Sequence, residues 1–234
     1  MTAGDLETHA GFSILFGMAM DVFKRLAELR IIPVSIIDDA SLADPMGAAL
    51  VAGGLAVAEV TFRTEAAEAA IKALAKRGDL LVGAGTVLTI ENVKKAVGGG
   101  AAFIVTPGFN PKVVDYCLEQ NIPITPGTVT ATEIGLALDR GVKVVKFFPS
   151  EASGGIKTLK AVAAPYAMMK FVPTGGIVPE NLGEYLRFNP VLACGGSWLV
   201  AKELLAARNF DRIAELARQA VELANKARPI GGKA

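Results

Sequence analysis

Eight times after Ile31, a short run of β-branched and apolar residues gives way to turn residues and then to a stretch rich in Ala, Glu and Lys. The strand candidates are Ile31–Ile37, Val57–Phe62, Leu80–Ala84, Phe103–Val105, Ile122–Thr125, Val142–Phe148, Phe171–Pro173 and Val191–Ala193. Parallel strands need long crossovers, which helices supply, so this alternation predicts a parallel sheet made of repeated βαβ units. Eight such units imply a closed (β/α)8 barrel of the TIM type, an α/β fold. The competing layout, an open doubly wound sheet, would carry a glycine fingerprint after its first strand, and Ile37-Asp-Asp-Ala-Ser41 has none.

No linker or charge run interrupts the alternation, so the 234 residues read as one domain, 1–234. Residues 1–30 form an N-terminal helical segment in this reading: Phe16, Met20, Phe23 and Ala27 recur at helical spacing, as in an amphipathic helix closing one barrel end. The apolar stretch Phe12–Met20 is too short to span a bilayer, and Asp5 and Glu7 stand where a secretory leader would be basic, though a processed leader is the alternative. Residues 227–234 are expected to fray. Hydrophobic residues make up 52% of the chain and the net charge is +1, so a large core can form and no field gathers nucleic acid. No membrane partner is expected. Cys117 and Cys194 lie too far apart for a zinc motif or a disulfide framework, which fits a reducing cytoplasm.

In such a barrel the active site forms at the C-terminal ends of the strands. Those ends read Glu59-Val-Thr-Phe-Arg63, Gly83-Ala-Gly-Thr86, Thr106-Pro-Gly108, Thr125-Pro-Gly127, Lys146-Phe-Phe-Pro149, Pro173-Thr-Gly-Gly176 and Gly195-Gly-Ser197. Strand alternation points Glu59, Thr61 and Arg63 to one face of their strand, and Val144, Lys146 and Phe148 to one face of theirs, so both sets can enter the barrel. A carboxylate and an ammonium aimed into an apolar barrel are costly unless they work or pair. Lys146 could instead snorkel at an edge, and Glu59 could simply neutralise a neighbouring cation. As a neutral amine, Lys146 would add to a ketone and expel water to give an iminium, an electron sink; its apolar neighbours disfavour the charged form. Glu59 is the strand-embedded carboxylate placed to move the protons. Arg63 suits a carboxylate, or a surface pair with Glu65 or Glu151. The glycines of Thr174-Gly-Gly176 and Gly195-Gly-Ser197 either make tight turns or let backbone N–H groups cradle a phosphate.

Taken in order, Glu-Val-Thr-x-Arg-Thr, Gly-Ala-Gly-Thr, Lys-Phe-Phe-Pro, Pro-Thr-Gly-Gly and Gly-Gly-Ser-Trp resemble the pattern of the KDPG/KHG aldolases over roughly residues 31–224. These act on 2-keto-3-deoxy-6-phosphogluconate (KDPG) and 2-keto-4-hydroxyglutarate (KHG). The resemblance implies Lys146 as the Schiff-base lysine, Glu59 as acid/base, and Arg63 with Thr86 at the substrate carboxylate. It implies Pro107, Phe148 and Thr174 lining the substrate, and Gly175, Gly176, Gly196 and Ser197 at the phosphate. A homotrimer without metal or other cofactor comes with it. Two features depart from the pattern: some relatives carry an Arg at the end of the first strand, where this chain has Ile36-Ile-Asp38, and the N-terminal segment is longer. A phosphosugar epimerase or a non-enzymatic phospholigand sensor would share the glycine loops without needing a covalent Lys146. Many epimerases hold a metal, whereas the single histidine, His9, lies outside the barrel pattern.

Overall fold

The computed structural model describes residues 22–229. Nine parallel strands alternate with helices: β1 (Ile31–Ser35), β2 (Val57–Thr61), β3 (Leu81–Gly85), β4 (Phe103–Val105), β5 (Ile124–Thr125), β6 (Gly127–Thr128), β7 (Val144–Phe147), β8 (Lys170–Pro173) and β9 (Cys194–Gly196). The helices are α1 (22–29), α2 (Ala43–Ala52), α3 (Ala67–Ala75), α4 (Ile90–Gly98), α5 (Pro111–Glu119), α6 (Ala131–Asp139), α7 (Gly155–Ala163), α8 (Pro179–Leu186), α9 (Lys202–Ala206) and α10 (Phe210–Ala227). One curled sheet runs β5-β4-β3-β2-β1-β9 and a second runs β6-β7-β8. The seam between β5 and β6 is Pro126, which has no N–H to give a ladder, although its carbonyl still accepts the Lys146 N–H at 2.9 Å. Between β8 and β9 the link is two parallel bridges, Phe171 to Val191 and Thr174 to Gly195.

Both faces of the sheets are buried, which is why the strands read as near-continuous apolar runs. Outward residues such as Ala58, Val60, Ile104, Val145 and Phe147 pack under the helices. Inward residues Ile32, Val57, Phe103, Val105, Val144, Val172 and Ala193 form a second, smaller core. Leu26 of α1, 1% exposed, plugs that inner core at the N-terminal ends of the strands. The helix expected to close this end is present at 22–29, but Leu26 is its deepest residue; Phe23 and Ala27 are half-buried, and Phe16 and Met20 lie outside the described residues.

Two expectations are corrected. The last strand is Cys194–Gly196 rather than Val191–Ala193. Its glycines belong to the strand, where their missing Cβ atoms make room for Thr174 and for the Trp198 ring. Arg228, placed by composition in a fraying tail, is tied down: its guanidinium donates to the carbonyls of Val191 at 2.7 Å and Leu192 at 2.9 Å. Residues 230–234 lie outside the described part of the chain.

Candidate active site

Alternation along β2 and β7 sends Glu59 and Lys146 inward, one step above Val57 and Val144. Lys146 is 5% exposed and Glu59 2% exposed. Lys146 Nζ lies 3.7 Å from Glu59 Oε1, within ion-pair range but too long for a hydrogen bond. Glu59 Oε1 accepts no hydrogen bond among the described residues. Burying two charges costs several kcal/mol per ion unless hydrogen bonds complete the pair, so a pair held this loosely is a poor structural fixture. The snorkelling alternative for Lys146 is excluded by its depth.

Room for this pair is made by glycine. A Cβ at Gly85 would overlap Glu59 Oε1, and one at Gly83 would overlap the Phe103 ring. At Gly127, the register partner of Lys146, a Cβ would run into the backbone carbonyl of Pro107 and come within 2.6 Å of the Gly108 nitrogen. Phe148 caps the lysine, its ring centroid 4.8 Å from Nζ, where the ring's negative face favours a cation. The same ring also packs at the glycine turn after β8, 3.3 Å from where a Gly175 Cβ would stand. Lysine, Phe148 and the Thr174-Gly-Gly176 turn are therefore contiguous.

That turn requires glycine: φ is +96° at Gly175 and +79° at Gly176, left-handed values that side chains resist. Thr174 is 7% exposed, and its side chain fills the space left by the missing Cβ of Gly195. Gly196 ends β9, and Ser197 follows it, exposed. Arg63 does not continue the inward row of β2, because the strand stops at Thr61. It sits exposed in the following turn with Nε 3.4 Å from Thr86 Oγ1. Thr86 itself holds a left-handed φ of +54°, a strained setting of the kind that clusters at binding sites. Among the described residues Arg63 makes no ion pair with Glu65 or Glu151. The end of β1 offers Asp38, whose carboxylate takes the Lys202 ammonium at 2.9 Å.

Thr125, in the Thr125-Pro-Gly127 strand end, also faces the interior. By register it pairs with Val105 on the inner face, and its buried hydroxyl has no partner among the described residues. The signal was a hydroxyl residue at an inward, apolar position. No three His, Cys, Asp or Glu side chains converge among the described residues. An apolar cleft of about 470 Å³ lies at the opposite end, lined by Phe23, Ala27, Leu118, Ile122 and Leu192. Its polar side chains are Lys24, Asn121 and Lys143, with no carboxylate or hydroxyl among them.

The sequence model of KDPG and KHG aldolase matches residues 22–216. The chain belongs to this family. A 2-dehydro-3-deoxy-phosphogluconate aldolase of Haemophilus influenzae is 48% identical over 203 residues, 86% of this chain and 96% of the relative. The 2-keto-3-deoxy-6-phosphogluconate aldolase of Zymomonas mobilis, solved with 3-phosphoglycerate, superposes with a TM-score of 0.79 at 37% identity. It covers 85% of this chain and 94% of its own. The KDPG aldolase of Legionella pneumophila, solved with pyruvate captured as a covalent carbinolamine, superposes with a TM-score of 0.79 at 38% identity, covering 82% and 93%. This aldolase thus shares the parallel α/β architecture of enzymes solved with a phosphorylated compound and with covalent pyruvate.

Proposed function

We propose that the chain is a metal-independent class I aldolase that cleaves KDPG to pyruvate and glyceraldehyde 3-phosphate, and KHG to pyruvate and glyoxylate, through an imine on Lys146. The observation that carries this reading is the buried pair of Lys146 and Glu59, held 3.7 Å apart without a hydrogen bond. Neutral Lys146 adds to the C2 ketone. Glu59 as an acid gives a proton to the resulting hydroxyl, water leaves, and the iminium forms beside the Phe148 ring. The Glu59 carboxylate then takes the C4 hydroxyl proton as the C3–C4 bond breaks, and the iminium accepts the electron pair as an enamine. Glu59 returns that proton to C3, and water releases pyruvate from Lys146.

Arg63 and Thr86 hold the pyruvyl carboxylate, Pro107, Phe148 and Thr174 line the carbon chain, and Gly175, Gly176, Gly196 and Ser197 cradle the phosphate. The strand-end positions of these residues and the sequence resemblance support the assignment. We read the two sheets as one (β/α)8 barrel of a single domain, with β5 and β6 as one stave interrupted at Pro126 and the β8–β9 bridges as the closing seam. A homotrimer in the cytoplasm is inferred from the resemblance and from two free, buried thiols.

Borohydride added with pyruvate is expected to inactivate the enzyme and leave a reduced adduct on Lys146 in peptide mass maps, and prolonged chelation is expected to leave cleavage intact. An adduct elsewhere, or activity lost to chelation and restored by a divalent metal, would overturn the assignment.

A further inference from the structure

Three successive carbonyl oxygens in the turn after β8 are tied back into the fold. Thr174 O accepts the Ser150 N–H at 2.8 Å, and Gly175 O accepts the Glu151 N–H at 3.0 Å. Gly176 O accepts from Asn181 Nδ2 at 3.0 Å. Among the described residues neither Gly175 nor Gly176 gives its own N–H to a protein acceptor. Left-handed backbone with its carbonyls engaged and its N–H groups free is the form of an anion nest.

The groups that tie the turn are themselves clamped from one helix. Asn181 and Tyr185 stand four residues apart on α8, hence on one face. The Asn181 side chain is fixed by accepting the Val178 N–H at 2.9 Å, which leaves its amide hydrogens for Gly176. The Tyr185 hydroxyl donates to Glu151 Oε1 and contacts Ser150 Oγ at 2.8 Å. A hydroxyl has one proton, so Ser150 is the donor in the second contact. Tyr185 is 1% exposed and Ser150 fully buried. Glu151 also lies across the turn, and a Cβ at Gly176 would come within 2.6 Å of its Cβ and Cγ. A carboxylate so near an anion site would repel the ligand, and the Tyr185 hydrogen bond fixes where it stands. Burial, followed by the Glu151 contact, holds the Tyr185 hydroxyl well above its ordinary range, so it stays a donor at working pH.

We propose that Tyr185 and Asn181 are positioning residues for the substrate phosphate: one face of α8 holds the Gly175-Gly176 turn in its anion-binding shape, Asn181 directly and Tyr185 through Ser150 and Glu151. This rests on reading the glycine turns as the phosphate cradle.

Tyr185→Phe and Asn181→Ala are tested for KM and kcat on KDPG and on KHG, with inorganic phosphate as competitor. Each variant raises KM for KDPG and the inhibition constant of phosphate about tenfold, the equivalent of about 1.4 kcal/mol, while the constants for KHG stay within about twofold because it has no phosphate to place. A parallel loss of kcat on both substrates would make the clamp merely structural and overturn the proposal. Should Tyr185→Phe fail to fold, Asn181→Ala on the half-buried first turn of α8 carries the test alone. Ser197→Asp reports on the cradle itself. A selective KDPG defect there, with Tyr185→Phe and Asn181→Ala both silent, overturns the proposal and leaves the cradle standing; a Ser197→Asp variant equally active on both substrates removes the cradle and the proposal with it.

Discussion

Gly85→Ala places a single methyl group against Glu59, the proposed acid/base, without changing it chemically. Gly85 lies inside β3 with ordinary strand geometry, so alanine meets no backbone penalty. The methyl would fall on Glu59 Oε1 and stand 2.7 Å from Cδ and 2.8 Å from Cγ. Ordinary contact begins near 3.4 Å, so the carboxylate carbon must retreat by about 0.7 Å, the difference between 3.4 and 2.7 Å, and the oxygen by more. Displacement of a reacting group by about 1 Å costs on the order of 10²-fold in rate, or about 2.7 kcal/mol of barrier. Overpacking should cost roughly 1–3 kcal/mol of stability as well. The assay is kcat for pyruvate release together with exchange of pyruvate methyl protons in deuterated water. Both are expected to fall by about 10²-fold, while borohydride still labels Lys146, more slowly. Gly98→Ala, where nothing lies within 4 Å of the added Cβ, is the matched control and should be silent. A Gly85→Ala enzyme that is folded and exchanges methyl protons at the parental rate would refute Glu59 as the proton carrier.

Thr125→Val removes an orphaned buried hydroxyl at nearly constant shape and should stabilise the protein by about 1 kcal/mol in urea titration; destabilisation would show that the hydroxyl has a partner in solution. Burial pushes the Cys117 thiol up from 9.0 to about 12. Between those values the unfolded chain gives up a proton that the folded chain keeps, so stability falls as pH rises through that window. The slope from this one group is about 1.4 kcal/mol per pH unit, and Cys117→Val should flatten the urea midpoint against pH by that amount. Equal slopes would mean that the folded thiol ionises freely.

The architecture was readable because each βα unit is locally self-consistent, and Lys146 and Glu59 were readable because charge is conspicuous in an apolar, period-two pattern. What escaped depends on neighbours distant in sequence. Gly195 and Gly196 read as a turn by composition, yet Thr174 and Trp198 occupy the space of their absent side chains, which only the packed sheet reveals. Arg63 was expected on the inward row, but β2 ends two residues earlier and the turn carries it to the rim. The tail looked frayed because Gly and Lys crowd it, while Arg228 finds carbonyls of Val191 and Leu192 that no linear pattern links to it. The Ser150, Glu151, Tyr185 and Asn181 clamp joins the ends of two elements separated by a helix and a strand, and none of its members is unusual where it stands.

Leu26 stoppers the strand interior at one end, so on the proposed mechanism the reaction chamber has its floor there and is approached from the rim that carries Gly175 and Gly176. On that mechanism the phosphorylated aldehyde, formed on the Gly175 and Gly176 side, departs before the pyruvate held at the buried Lys146 is freed to follow. In the synthetic direction the same mechanism has pyruvate enter first and the aldehyde second. An apolar side chain on the helix before the first strand would thereby set the order of events from the far end of the fold.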